Sequence, residues 1–189
     1  MQLDHALGRV LDIGSGAGRH ALYLQGAGSQ VVALDISPLA AEVCRRRGVR
    51  QVMVGTVSDL QGRDASSFDS FLLLGNNLGL LGGAYRARSL LGTLAELAAP
   101  GAVIIGQGMD PYKTDNPLHL GYHERNRALG RMPGQIRMRV RHEDMATPWF
   151  DYLVTSGEEL EALLNGSGWR LEHSETDGAS YVALLRHSV

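Results

Sequence analysis

One stretch, Val10 to Gly18 (VLDIGSGAG), limits what this chain can fold into more than any other. A β-rich run, Arg9 to Ile13, contains an acid and meets glycines at alternate positions, Gly14, Gly16 and Gly18, before a helical segment. Glycine permits the sharp turn and lets backbone approach a ligand with no Cβ in the way. The helix that follows presents unpaired N–H groups at its start. Such a turn can cradle a dinucleotide pyrophosphate, but Arg19 stands where the third glycine of G-x-G-x-x-G is needed. Asp12 also puts a negative charge before the turn, which suits a cation or ammonium group better than a diphosphate. Asp35 follows 21 residues after Gly14, at the end of the next strand signal, Gln30 to Leu34. An acid about 20 residues on accepts hydrogen bonds from ribose hydroxyls in such folds.

The pattern around this motif is that of an α/β chain. Ser37 and Pro38 open a helix as N-cap and first helical residue, and Gly48 closes it behind Arg45, Arg46 and Arg47. Gln51 to Gly55, Phe68 to Leu74 and Ala102 to Gly106 read as three more strands. Leu90, Leu91, Leu94, Leu97 and Ala98 mark one helical face before Pro100-Gly101 breaks it. Strands alternating with helices predict a mostly parallel sheet covered on both faces. Gln107 to Gln135 shows little periodicity and reads as a long loop. Ile136 to His142 and Trp149 to Val154 make a hairpin, and Ser156 with Glu159 forms a capping box for a further helix. Trp169 to Ser174 and Ser180 to Arg186, joined at Asp177-Gly178, must be antiparallel, because their link is too short for a crossover.

VLDIGSGAGRHALYLQGAGSQVVALDISPLAAEVCRRRGV resembles the opening of class I S-adenosylmethionine-dependent methyltransferases. The similarity continues through FDSFLLLGNNLGLLG to the closing GW…YVALLR strands. The resemblance implies a Rossmann-like, mostly parallel sheet of seven strands in order 3-2-1-4-5-7-6, its seventh strand antiparallel. It implies S-adenosylmethionine as cofactor, its methionine end lined by Asp12, Gly14, Ser15 and Gly16, with Gly18 and Arg19 where the turn enters the helix. Asp35 would hold the ribose hydroxyls and Ile36 would lie against the adenine. Thr56, Val57, Ser58 and Asp59 would edge the adenine, and Gly75 with Asn76 would sit below the sulfonium. Thr56 departs from the family, which often has an acid there; Ser58 or Asp59 is the substitute. Few residues precede the first strand, where family members usually carry helices over the cofactor, so either a more open site or a shortened form of the family is expected.

Methyl transfer from a sulfonium requires alignment and exclusion of water more than a catalytic triad. The acceptor is expected to be a small molecule, reached by Gly75 to Gly83 and Gln107 to Gln135, with Tyr112, His119, Tyr122 and His123 as candidate contacts. His119 and His123 are four apart but lack a third convincing ligand, so no metal is expected. Arg125, Arg127, Arg131, Arg137, Arg139 and Arg141 form a basic run, and the last three alternate and would share one face of a strand. Its bland reading is a solvated face that blunts an edge; the sharper one is recognition of an acidic small molecule or of phosphate. Nucleic acid is disfavoured by the absence of interleaved aromatics and a formal net charge of −2.

With 189 residues, 44% of them hydrophobic and 20% charged, the chain suits one globular domain, with 107–155 as a substrate-side insertion. A single cysteine, Cys44, excludes an intramolecular disulfide framework. No apolar run is long enough to span a bilayer, and Met1 to Leu7 lacks the features of a signal peptide, so a cytoplasmic protein is expected. The alternative functions are a non-enzymatic domain that keeps this fold and, further behind, a dinucleotide-dependent oxidoreductase.

Overall fold

The computed structural model describes residues 2–62 and 68–188. After a 3-10 turn at Gln2–His5, the chain runs β1 (Arg9–Ile13), α1 (Arg19–Gly26), β2 (Gln30–Asp35), α2 (Pro38–Arg46) and β3 (Gln51–Val54). A 3-10 turn at Val57–Leu60 leads towards β4 (Phe68–Leu73), and another at Asn77–Leu81 leads into α3 (Ala84–Glu96) and β5 (Ala98–Met109). The segment beyond β5 carries α4 (Pro117–Ala128), β6 (Gln135–Met138), β7 (Arg141–His142), β8 (Met145–Ala146) and β9 (Phe150–Leu153). The chain closes with α5 (Gly157–Leu164), β10 (Trp169–Asp177) and β11 (Ser180–His187).

The seven-stranded sheet has the order β3-β2-β1-β4-β5-β11-β10. Strands β3, β2, β1, β4 and β5 pair in parallel, while β11 is antiparallel to both β5 and β10. This is the expected 3-2-1-4-5-7-6 arrangement, since the four short strands β6 to β9 lie outside the sheet. Adjacent strand residues point to opposite faces, so the sheet builds two apolar layers. Leu11, Ile13, Phe71 and Ile104 meet Leu91 and Leu94 of α3 and Leu160 and Leu164 of α5. Val10, Val31, Ala33, Leu72 and Ile105 meet Ala21 and Leu24 of α1 and Cys44 of α2. Full burial of one such leucine contributes about 1.5–3 kcal/mol, which fixes each helix to its own face. Asp12 lies two residues beyond Val10 on β1 and so faces the α1–α2 layer.

Local signals set the boundaries. The Ser37 hydroxyl accepts from the Ala40 N–H with Pro38 at the helix start, and Ser156 and Glu159 form the reciprocal capping box.

Three expectations need correction beyond β4. Strand β5 begins at Ala98, with a register shift opposite Phe68–Ser70, rather than after Pro100-Gly101. The stretch expected to be an irregular loop holds the last turns of β5 and the helix α4, which Asn116 caps and Pro117 begins. Helix α4 buries only His123 and Asn126, so it lacks an apolar period. The hairpin is also interrupted: β6 pairs with β9 only as far as Met138 and Phe150, and β7 with β8 forms a separate small ladder. Arg137, Arg139 and Arg141 therefore do not share one strand face. Among the described residues no helix is long and apolar enough to cross a membrane.

Candidate functional site

The candidate site lies at the carboxyl ends of β1, β2 and β4, the end at which open α/β sheets bind their ligands. Its floor is the glycine turn after β1. Gly14 donates its N–H to the Leu34 carbonyl at 2.8 Å, and Ser15 donates to the same carbonyl at 3.1 Å. Gly14 has φ +70, and a Cβ on it would stand 2.4 Å from Asn77 Nδ2, so both backbone and space require glycine. A Cβ on Gly16 would meet nothing within 4 Å, which leaves the middle of the turn open to a ligand. Gly18 is required by a different contact, the approach of Cys44 Sγ and Val49 from α2 and its C-terminal turn.

Two acids flank this turn, and one of them, Asp35, braces it. The Asp35 carboxylate accepts from the Gly16 N–H through Oδ2 and from the Ser37 N–H through Oδ1, both at 2.8 Å. Each oxygen keeps a lone pair, so Asp35 can still accept from a ligand's hydroxyls. Asp12 is only 2% exposed. Among the described residues its Oδ2 has no hydrogen-bond partner, and neither has Ser15 Oγ. Burial raises the Asp12 carboxyl from the ordinary 3.8 to about 6, with the nearby Asp35 charge adding to the rise and the Ala21 N–H and Arg19 opposing it. An unpartnered buried carboxylate of this kind gains most from a positively charged group brought beside it.

The adenine-edge candidates divide. Ile36 is 73% exposed next to Asp35 and offers an open apolar surface. Val57 turns its side chain into the core, whereas Ser58 is exposed. Asp59 Oδ2 receives both the Thr56 N–H at 2.7 Å and the Thr56 hydroxyl at 2.9 Å, closing a capping box. That oxygen is thus committed to the turn. Arg19 lies at the head of α1 with its guanidinium 3.1 Å from His20 Nε2.

After β4, Gly75 and Asn76 both take left-handed φ, +69 and +67. Three residues hold this turn that sequence reading does not single out. Gln107 of β5 accepts the Gly75 N–H at 2.9 Å. Asn77 donates to the carbonyls of Ile13 and Gly14, at 2.9 and 3.1 Å, tying the β4 turn to the glycine turn. Tyr152 of β9 donates its hydroxyl to the Asn76 carbonyl, and its ring occupies the space a Cβ on Gly79 would need. A lone polar residue in the apolar run AVIIGQG is a usable signal for Gln107; nothing local marks Tyr152.

The four acceptor-side candidates do not converge as a group. The Tyr112 hydroxyl donates to Glu159 Oε1 at 2.5 Å, and burial together with Glu159 pushes its phenol up to about 12. His123 is buried, and its ring stands edge-on to Tyr112 at 5.9 Å. Burial and Arg127 lower its pKa. His119 Nδ1 meets the Thr114 hydroxyl at 3.0 Å, and the Tyr122 oxygen accepts from the Arg137 N–H at 3.4 Å. Tyr112 and His123 thus brace α4 against the start of α5, while Tyr122 remains 39% exposed. The described residues contain no group of three or more metal-ligating side chains.

Residues 11–90 match the methyltransferase domain family. The fold is similar to that of an S-adenosylmethionine-dependent methyltransferase from Bacteroides fragilis, solved with S-adenosylhomocysteine. The two share 29% identity and a TM-score of 0.82 over 99% of this chain and 75% of that one. A methyltransferase from Streptomyces caelestis, CcbJ, is 17% identical with a TM-score of 0.72, covering 98% of this chain and 86% of its own. The 1,6-didemethyltoxoflavin-N1-methyltransferase of Burkholderia thailandensis is 22% identical with a TM-score of 0.63, covering 97% and 72%. No curated protein matches the chain. The sheet order is the one that the resemblance to class I S-adenosylmethionine-dependent methyltransferases implies, and residues 11–90 carry the match to the methyltransferase domain.

Proposed function

We propose that this chain transfers a methyl group from S-adenosylmethionine to a small-molecule acceptor. The observation that carries the reading is the pairing of a buried, unpartnered Asp12 carboxylate oxygen with an open glycine turn braced by Asp35. These residues fit the cofactor: an acid for its ammonium group, open backbone at Gly16, acceptor capacity on Asp35 for ribose hydroxyls and the exposed Ile36 for adenine. The bound cofactor supplies a methyl group on a positively charged sulfur, with a neutral thioether as leaving group. The chain aligns the acceptor with that methyl and keeps water out. Gly75 and Asn76, fixed by Gln107, Asn77 and Tyr152, form the wall on the β4 side. A base is needed only for an acceptor that must lose a proton before it attacks.

On this reading residues 1–189 act as one cytoplasmic methyltransferase domain, with 107–155 inserted on the acceptor side. His119 and Tyr122 are the earlier candidates left with access to an acceptor. Calorimetric titration with S-adenosylhomocysteine, beside NADH as control, tests the cofactor. Ligand at about 100 times its dissociation constant adds about 2.7 kcal/mol of stability, and Asp35→Ala removes that gain. Tight NADH binding, or a gain unchanged in the Asp35 variant, would sink the proposal.

A further inference from the structure

The inserted hairpin has two chemically different faces. Directly opposed residues of an antiparallel pair point to the same side, and alternate residues along each strand do likewise. The register Ile136↔Tyr152 and Met138↔Phe150 therefore gathers Ile136, Met138, Phe150 and Tyr152 on one face. Arg137↔Asp151 and Gln135↔Leu153 fall on the other, where Leu153 is buried in the core layer of α3 and α5. The first face is oriented by Tyr152, whose hydroxyl reaches the Asn76 carbonyl and whose ring lies on Gly79. It therefore looks towards the β4 turn that walls the candidate site.

Ile136, Met138 and Phe150 are only half-buried, and they belong to neither core layer. Three arginines of the basic run are engaged away from this face. Arg137 lies 3.9 Å from Asp151 Oδ1 on the opposite side, Arg139 stacks over Trp149 at 5.0 Å, and Arg127 is paired with Glu124. We propose that the Ile136–Met138–Phe150–Tyr152 face is the wall on which the methyl acceptor lies, and that the acceptor presents an uncharged aromatic ring to it. Phe150 supplies a ring for stacking or edge contact, and Met138 supplies a thioether that adapts to an aromatic edge. None of the four residues of that face is a cation that an anionic group of the acceptor could meet. This inference rests on the methyltransferase reading for its choice of occupant.

The test is methionine-methyl NMR on the full chain, with the Met138 signal assigned through Met138→Leu. Naphthol is the probe, naphthoate is its anionic counterpart, and each titration is run with and without S-adenosylhomocysteine. The expected result is a saturable shift of the Met138 methyl with naphthol. Phe150→Ala weakens binding about ten-fold, Phe150→Leu weakens it less, and Arg137→Gln leaves it unchanged. A Met138 signal unmoved by naphthol overturns the proposal, as does a preference for naphthoate that Arg137→Gln abolishes. The two readings fail separately. S-adenosylhomocysteine binding with a silent Met138 removes only the acceptor wall, whereas a naphthol response without S-adenosylhomocysteine binding leaves an aromatic-binding face but refutes the cofactor and, with it, the face's role as an acceptor wall.

Discussion

Replacing Asp12 by asparagine tests the central feature of the site, a carboxylate kept in a nearly dry place. Its carboxyl is raised from 3.8 to about 6, chiefly by burial. At about 1.4 kcal/mol per unit, holding the charged form there costs the fold about 3 kcal/mol. For an acid whose folded pKa lies above its unfolded value, the folded state retains a proton that the unfolded chain has released. Stability is therefore highest below pH 3.8, falls as pH rises through the window up to about 6, and carries the whole penalty above it. Asparagine cannot ionise, so in Asp12→Asn that slope disappears while the slopes from other groups remain. The assay is urea unfolding of both proteins at several pH values, and the quantity read is the difference between them. That difference should move in favour of the variant by about 3 kcal/mol from the bottom of the window to neutral pH. Absolute stability is a poorer readout, because the new amide N–H₂ takes up the place of an oxygen with no partner. A cofactor ammonium beside Asp12 would draw its pKa back down, so binding inside the window releases a proton and the calorimetric enthalpy depends on the buffer. Parallel pH curves for the two proteins would refute the argument, since they require an Asp12 that titrates alike folded and unfolded.

Two further substitutions examine how the β4 turn is held. Asn77→Ala removes both donors to the glycine turn and should cost about 1–3 kcal/mol in urea unfolding, with a parallel loss of S-adenosylhomocysteine affinity; unaltered affinity would separate the two turns. Tyr152→Phe removes one of the two donors to the Asn76 carbonyl, which keeps the Gly79 N–H at 2.8 Å. Its cost should be about 1 kcal/mol with the ring contact intact, and a larger loss would show that the hydroxyl supports more than this turn.

What could be read from the sequence follows the range of the forces involved. The glycine turn, the Ser37 cap, the Ser156–Glu159 capping box and the closing hairpin depend on residues within a few positions of one another, so their chemistry is written locally. The parallel sheet was legible because β1, β2, β4 and β5 are buried on both faces and read as apolar runs. Helix α4 was not, because a helix that buries little beyond His123 and Asn126 carries no apolar period. The internal partners of Tyr112 and Asp59 were not legible for a related reason. A polar residue near a site looks available until its tertiary partner, Glu159 for one and Thr56 for the other, is known.

The same distinction separates the two halves of the site. The proposed cofactor side is built from two neighbouring strands and the turn between β1 and α1, so short sequence spacing brings Asp12, Gly16 and Asp35 together. The proposed acceptor side lies where Tyr152 of the hairpin, 76 residues beyond Asn76, reaches back to it through its hydroxyl. The glycine turn is held by Leu34, Asp35 and Asn77, and the hairpin meets the β4 turn through the hydroxyl and ring of Tyr152. If the hairpin face takes the acceptor as proposed, substitutions at Ile136, Met138 and Phe150 change the acceptor while Asp12, Gly16 and Asp35 keep the cofactor chemistry.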